Sequence, residues 1–363
     1  MKVVLFITGL GMGGAENLVV NLADNYSNKG YDVTIIYAFK EQLVFPKNKN
    51  IDIFSLGVTT YWDFVSACYH FRTIVNRIKP DVVHSHMFHA NILARLMKPF
   101  CKYRRLINTA HSTNEGGRFR MFLYRVTDSL SDMMTNVSQE AVDVFIHKGA
   151  AKAKKIIAVE NGIDTNEFTF SKNIRDAYRA QLHLSNDDKL ILAIGSLRAA
   201  KDYPNLLNAL ALLKDKHENI KLIIIGDGPL KYDLGCLVDK LKLGDIVEFL
   251  GVRYDIPEFL SACDVFVLSS YYEGFGLVVA EAMSCERAVV ATDCGGVKEV
   301  VGTCGILVEK SNYNELANLL SQAIELSDTA LEKIGVDSRN RIINNFSIES
   351  TANNYIELYK RDF

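Results

Sequence analysis

No apolar run in this 363-residue chain approaches the roughly 18 residues that a membrane-spanning helix requires. The opening Met1-Lys-Val-Val-Leu-Phe-Ile-Thr8 is too short for a signal peptide and runs straight into a glycine turn. Seven cysteines stand in no metal-like spacing, and their odd number offers no short disulfide framework, which points to a reducing compartment. A cytosolic protein is therefore expected, one that at most lies peripherally on a membrane. No Asp-x-Asp occurs anywhere, no segment is repeated, and nothing is low in complexity.

The 48% apolar content is enough, at this length, to fill two sizeable cores. The net charge of −2 is unevenly divided. Residues 1–165 hold 20 Lys+Arg against 14 Asp+Glu, a net of +6, and the remainder holds 21 against 29, a net of −8. The amino-terminal half is the one suited to an anionic partner, although no nucleic acid is expected.

Strand and helix alternate, twice. In the first half, strands are expected over 3–8, 33–37, 81–84, 106–109, 133–137 and 156–159. Ala15, Leu18, Val19, Leu22, Ala23 and Tyr26 recur at helical spacing until Gly30, and a second helix is expected over 62–77. The polar stretch 165–188 reads as a linker. The second half restarts with strands over 190–194, 221–225, 246–250, 264–268 and 288–291. Such alternation predicts two α/β domains, 1–165 and 166–347, each a Rossmann-like parallel sheet with helices on both faces. Segment 348–363 is expected to cross back to the first domain. Ligands of such sheets bind at the carboxyl ends of the strands.

The run Ser270-Tyr-Tyr-Glu-Gly-Phe-Gly-Leu-Val-Val-Ala-Glu-Ala-Met283 places Glu273 and Glu281 on either side of a glycine turn that joins a buried strand to a helix. Backbone N–H groups at the helix start can face a diphosphate. Glu281, more than a turn inside the helix, can accept two hydrogen bonds from a ribose diol, and Glu273 lies in the turn near where a sugar would sit. In the first half, Gly9-Leu-Gly-Met-Gly-Gly-Ala-Glu16 opens a helix directly after a strand, so that its backbone can approach a phosphate closely. It also matches G-x-G-x-x-G. A dinucleotide reader expects an acid at the end of the second strand, and that strand ends in Tyr37-Ala-Phe-Lys40, which disfavours a nicotinamide dehydrogenase.

The Glu-x7-Glu spacing resembles the signature of the family 4 retaining glycosyltransferases, which have the GT-B fold: two Rossmann-like domains facing each other across a cleft. Gly-Gly-Ala-Glu resembles the loop that this family sets beneath the donor diphosphate and beside the acceptor, which implies donor contact for Gly13 and Gly14 and acceptor contact for Glu16. In Gly195-Ser-Leu-Arg-Ala-Ala-Lys201, Lys201 matches a diphosphate-gripping lysine; Ser196 stands where the family has arginine, leaving Arg198 to take that part. His111 in Asn108-Thr-Ala-His-Ser112 matches the position that meets the donor sugar near its C6 hydroxyl. Val252 and Arg253, after Phe249-Leu-Gly251, would lie against the base. Gly226-Asp-Gly-Pro229, Asn161-Gly-Ile-Asp164 and Gly295-Gly-Val-Lys-Glu299 also stand where the family has them.

The resemblance implies an enzyme that moves a sugar from a nucleoside diphosphate, expected to be UDP, with retention. Glu273, Lys201, Arg198 and His111 are then the catalytic candidates. Gly274, Phe275, Gly276, Leu277 and Glu281 join the donor-binding set. His86, in His84-Ser-His86, is expected at the cleft mouth, meeting the acceptor. That pair lacks a third ligand for zinc, and without Asp-x-Asp no metal or other cofactor is expected. The segments Lys98-Pro-Phe-Cys-Lys-Tyr-Arg-Arg105 and Arg118-Phe-Arg-Met-Phe-Leu-Tyr-Arg125 interleave cations with large apolar groups, as inner-leaflet surface segments do. They suggest a lipid-linked glycan acceptor of bacterial surface-polysaccharide (O-antigen or capsule) assembly. A sugar-nucleotide 2-epimerase of the same fold and a non-catalytic sugar-nucleotide sensor remain as alternatives.

Overall fold

A computed structural model describes residues 1–39, 42–113 and 115–361. The chain forms two compact units, Met1–Ile163 with Ile348–Phe363, and Asp164–Ser347.

In the first unit, β1 (Lys2–Gly9), β2 (Asp32–Phe39), β3 (Asp52–Val58), β4 (Val82–His86), β5 (Arg105–Ala110), β6 (Met133–Asn136) and β7 (Ile156–Ala158) form a parallel sheet in the order β3-β2-β1-β4-β5-β6-β7. The central strand is apolar on both sides because both faces are covered. Val3, Leu5 and Ile7 pack under the helices Gly14–Asn28 and Ile348–Lys360. Val4 and Phe6 pack under Phe64–Ile78 and Phe88–Met97. Helices Arg118–Thr127 and Gln139–His147 cover the β5–β7 end of that second face with Met121, Tyr124, Val142 and Phe145. The carboxyl-terminal helix is bonded into this unit from its first residue, where the Ile348 amide donates to the Ile163 carbonyl at 2.8 Å.

The second unit holds β8 (Lys189–Ile194), β9 (Ile220–Ile225), β10 (Val247–Gly251), β11 (Val265–Leu268), β12 (Ala288–Thr292) and β13 (Ile306–Val308), parallel in the order β10-β9-β8-β11-β12-β13. Ile191, Ala193, Val265, Val267 and Val290 pack against helices Tyr203–Leu213 and Tyr313–Ile324. Each sheet has a switch point where successive crossovers run in opposite directions, between β1 and β4 in one and between β8 and β11 in the other. Loops leaving such a pair of strands splay apart and open a crevice.

Three elements depart from the sequence reading. Strands β3 and β13 were not anticipated: β3 is an edge strand with much of its length exposed, and β13 has three residues. The stretch read as a linker contains a helix, Lys172–Gln181, of the second unit. Its docking is ionic. Arg175 and Arg179 reach the Asp264 carboxylate at 2.5 and 3.0 Å, and both also donate to carbonyls at the end of helix Ile256–Ala262. The apolar periodicity that announces a helix is weak here because arginine fork geometry replaces it.

Candidate active site

In the second unit, β11 ends at Leu268 and a turn over 269–276 leads into helix Leu277–Ser284. Gly276 caps that helix in the left-handed region at φ 87°, and Gly295 lies so close to the turn that a Cβ there would come within 2.0 Å of the Glu273 carbonyl. The adjacent switch-point loop follows β8 and ends in the short turn Ala199–Lys201. Backbone amides of Tyr271 and Tyr272 donate to the Ala200 carbonyl at 2.8 and 3.3 Å, and the Ser269 hydroxyl donates to the Lys201 carbonyl at 2.9 Å. The two loops are thereby fixed to each other before any side chain is considered.

That stitching delivers a charge cluster. Lys201 Nζ donates to Glu273 Oε1 at 2.6 Å, and the Ser270 hydroxyl donates to the same oxygen at 2.7 Å. Glu281 sits one turn into the helix, its carboxyl pushed up to about 7 by burial and by the nearby Glu167, against the pull of Lys201. One lysine thus serves two carboxylates beside a helix start. Gly274 and Phe275 shape the turn: the Gly274 carbonyl accepts from Gly296 N at 3.2 Å, and the Phe275 ring is buried 5.5 Å from that of Phe346. Leu277 begins the helix. Arg198 is exposed and lies outside this hydrogen-bonded cluster. Val252 is half-exposed after β10. Arg253, expected against a base, turns its guanidinium to Asp255 through bonds of 2.9 and 2.6 Å, and Tyr178 donates to the same carboxylate.

In the first unit, Gly13 caps helix Gly14–Asn28 in an extended conformation, and the Glu16 carboxylate folds back against it. Next to that loop, β4 and β5 end in histidines. His84 is clamped at both nitrogens, by Tyr359 Oη and Thr109 Oγ1, each at 2.6 Å. His86 Nδ1 lies 3.1 Å from His111 Nε2. Burial pulls all three rings down, His84 to about 3, His111 to about 4 and His86 well below the usual imidazole range, so they are neutral near pH 7. The reading of His86 as a residue meeting the acceptor needs correction: the residue has no exposed surface, and its Nδ1 is engaged by His111.

Sequence reasoning missed Glu115, which accepts from the His111 amide at 2.9 Å and from Tyr124 Oη at 2.5 Å, and whose carboxyl burial raises. It also missed Tyr359 behind His84 and Ser270 beside Glu273. Ser270 and Glu115, three and four residues from their partners Glu273 and His111, were open to a local motif; Tyr359 is 275 residues from His84. Among the described residues no group of three or more His, Cys, Asp or Glu could hold a metal ion, and no helix is long and apolar enough to cross a membrane.

Two family models match the chain in succession, Glycosyltransferase Family 4 over residues 12–167 and Glycosyl transferases group 1 over residues 174–346. The chain is a family 4 GT-B glycosyltransferase. This glycosyltransferase is 28% identical, over 96% of its length and 94% of the relative's, to an N-acetyl-alpha-D-glucosaminyl L-malate synthase of Bacillus anthracis. A Campylobacter jejuni N-acetylgalactosamine-N,N'-diacetylbacillosaminyl-diphospho-undecaprenol 4-alpha-N-acetylgalactosaminyltransferase is 27% identical, over 89% and 90% of the two chains. The fold is shared with Anabaena HepE, crystallised in complex with UDP and glucose, at a TM-score of 0.85 and 22% identity over 99% of each chain.

Proposed function

We propose that this glycosyltransferase moves a hexose or N-acetylhexosamine from a UDP-sugar to a sugar acceptor with retention at the anomeric carbon. The observation that carries the reading is Lys201, held at 2.6 Å from Glu273 at the switch point of the second sheet, with Glu281 close enough to feel its charge. In this scheme the second unit binds the donor. Lys201, Arg198 and the start of helix Leu277–Ser284 stabilise the departing diphosphate, Glu281 receives the ribose hydroxyls, and Glu273 with the backbone of 275–277 orients the sugar. In the first unit, Gly13, Gly14 and His111 are assigned to donor contact and Glu16 to acceptor contact. Attack comes from the face that the diphosphate leaves, and a phosphate oxygen assists removal of the acceptor proton.

Two cationic side chains, Lys201 and Arg198, and a helix start supply the counter-charge, so transfer is expected to continue in excess EDTA. Loss of activity that magnesium restores would overturn that part. Retention is tested by the anomeric coupling in the product: an unchanged anomer supports it and an inverted one refutes it.

The acceptor we propose is a polyprenyl-diphosphate-linked glycan of surface-polysaccharide assembly, reached from the inner leaflet. Three features support it: the +6 surplus of residues 1–165, the diphospho-undecaprenol substrate in the Campylobacter relative's name, and one face of helix Arg118–Thr127. There Phe119, Phe122 and Val126 are 71%, 55% and 53% exposed, with Arg118 and Arg125 also exposed beside them. Two arginines of the basic segments do other work. Arg105 is buried and donates to the Tyr359 carbonyl, and Arg120 donates to the Glu115 carbonyl with its guanidinium over Phe88.

A further inference from the structure

A bond between two neutral imidazoles contains one proton, so the contact of 3.1 Å between His86 Nδ1 and His111 Nε2 admits two assignments. In one, His86 donates, which leaves a lone pair on His86 Nε2 and a proton on His111 Nδ1. In the other, every role is exchanged. The two remaining nitrogens, His86 Nε2 and His111 Nδ1, are both buried and without a hydrogen-bond partner among the described residues. One of them must therefore carry an unmet proton, and the two sites differ. His86 has no exposed surface at all, while the His111 residue is partly exposed.

An orphaned N–H deep in the protein is rarer and costlier than an unmet acceptor, so the proton belongs on the residue that can find a partner. Among the described residues no neighbour offsets this choice. The His84 ring, its centroid 4.0 Å from that of His86, already has both nitrogens engaged, one by Tyr359 and one by Thr109. The His111 main chain is anchored separately through Glu115.

We propose that His86 is a positioning residue that holds His111 in the Nδ1–H tautomer, so that His111 meets a ligand oxygen as a hydrogen-bond donor and not as a base. The inference rests on the reading of His111 as a substrate-facing group and deepens it. A ligand must then present an accepting oxygen, such as a sugar hydroxyl, to Nδ1. Basicity is unavailable at either His111 nitrogen, since Nε2 spends its lone pair on His86.

The test is a long-range proton–nitrogen NMR correlation on protein labelled with ¹⁵N-histidine, with the His111 signals assigned by their loss in His111→Asn. The wild-type spectrum should show a single neutral form of His111 with the proton on Nδ1. In His86→Phe that preference should disappear, with kcat/KM falling roughly tenfold. His86→Asn, whose amide nitrogen takes the place of Nδ1, should restore the Nδ1–H form. A proton on Nε2 in the wild type, or an unchanged spectrum in His86→Phe, overturns the proposal. Should His86→Phe fail to fold, the wild-type spectrum and His86→Asn decide alone. An Nδ1–H spectrum in a protein that transfers no sugar supports the tautomer and counts only against the proposed reaction.

Discussion

The two units share a parallel sheet with one switch point, yet they finish their central strands with opposite chemistry. The second unit ends β8 and β11 in charge: Lys201, Glu273 and, one helical turn on, Glu281. The first has three neutral rings at the ends of β4 and β5, His84 and His86 buried and His111 partly exposed. Gross charge runs the other way, because residues 1–165 carry the surplus of +6 while the remainder stands at −8. A surplus counted over a half of the chain describes its surface. The cation poised for a leaving group sits in the acidic half, where Glu273 holds it and Glu281 feels its charge.

The strongest way to break this comparison is to remove charge where the second unit uses it for structure. Asp264→Ala leaves Arg179, largely buried, and Arg175 without their carboxylate, and should cost about 3–5 kcal/mol in urea unfolding of the second unit. A loss below about 1 kcal/mol would mean that apolar packing, and not the ion pairs, docks helix Lys172–Gln181. Lys201→Met comes next. If the cation stabilises a departing diphosphate, kcat should fall roughly 10²- to 10³-fold. His111→Phe, which removes one neutral hydrogen bond, should cost only about tenfold. Equal losses in the two variants would erase the distinction between charged and neutral strand ends.

The same contrast predicts opposite responses to pH. Glu281 is raised in the fold to about 7, so its contribution to stability is full below the unfolded value of 4.5 and is lost as pH rises through about 7. His84 and His111 are depressed to about 3 and about 4, so theirs is present above 6.5 and is lost as pH falls toward those values. Acidification from pH 7 to 5 should therefore favour the second unit and weaken the first, measured by hydrogen exchange in each. Glu281→Gln should flatten the second response only. Nucleotide affinity should decline over the same range if the ionised Glu281 receives ribose hydroxyls, and should be flat in Glu281→Gln. The smallest effect expected is at the surface. Replacing Arg104, Arg118 and Arg125 with Ser should weaken binding to anionic vesicles by roughly 1 kcal/mol each at low salt, and about 0.5 M salt should release the wild type. Equal binding to neutral vesicles would count against an electrostatic contact.

How much of this was legible in the sequence depended on the range of the interactions involved. Strands such as Lys189–Ile194 and Ile220–Ile225 were readable because burial on both faces demands an unbroken apolar run. The edge strand Asp52–Val58, with an exposed Ser55 and Gly57, makes no such demand. Helix Lys172–Gln181 was read as linker because its anchors are two arginines whose partner lies 85 or more residues away. Glu273, Glu281 and the glycine turn were visible because strand, turn and helix are consecutive. The place of His86 was not, since its ring is met by His111 after β5, 25 residues away, which its own motif does not contain.

The central claim is that Lys201 and its two carboxylates form the donor site of a sugar transfer. The most direct measurement is UDP release from a panel of UDP-sugars, with and without a lipid-diphosphate-linked glycan, in the wild type and in Lys201→Met. Release that requires the acceptor and falls at least a hundredfold in Lys201→Met is the predicted result. UDP release that proceeds equally without acceptor, or a Lys201→Met variant as fast as the wild type, would contradict it.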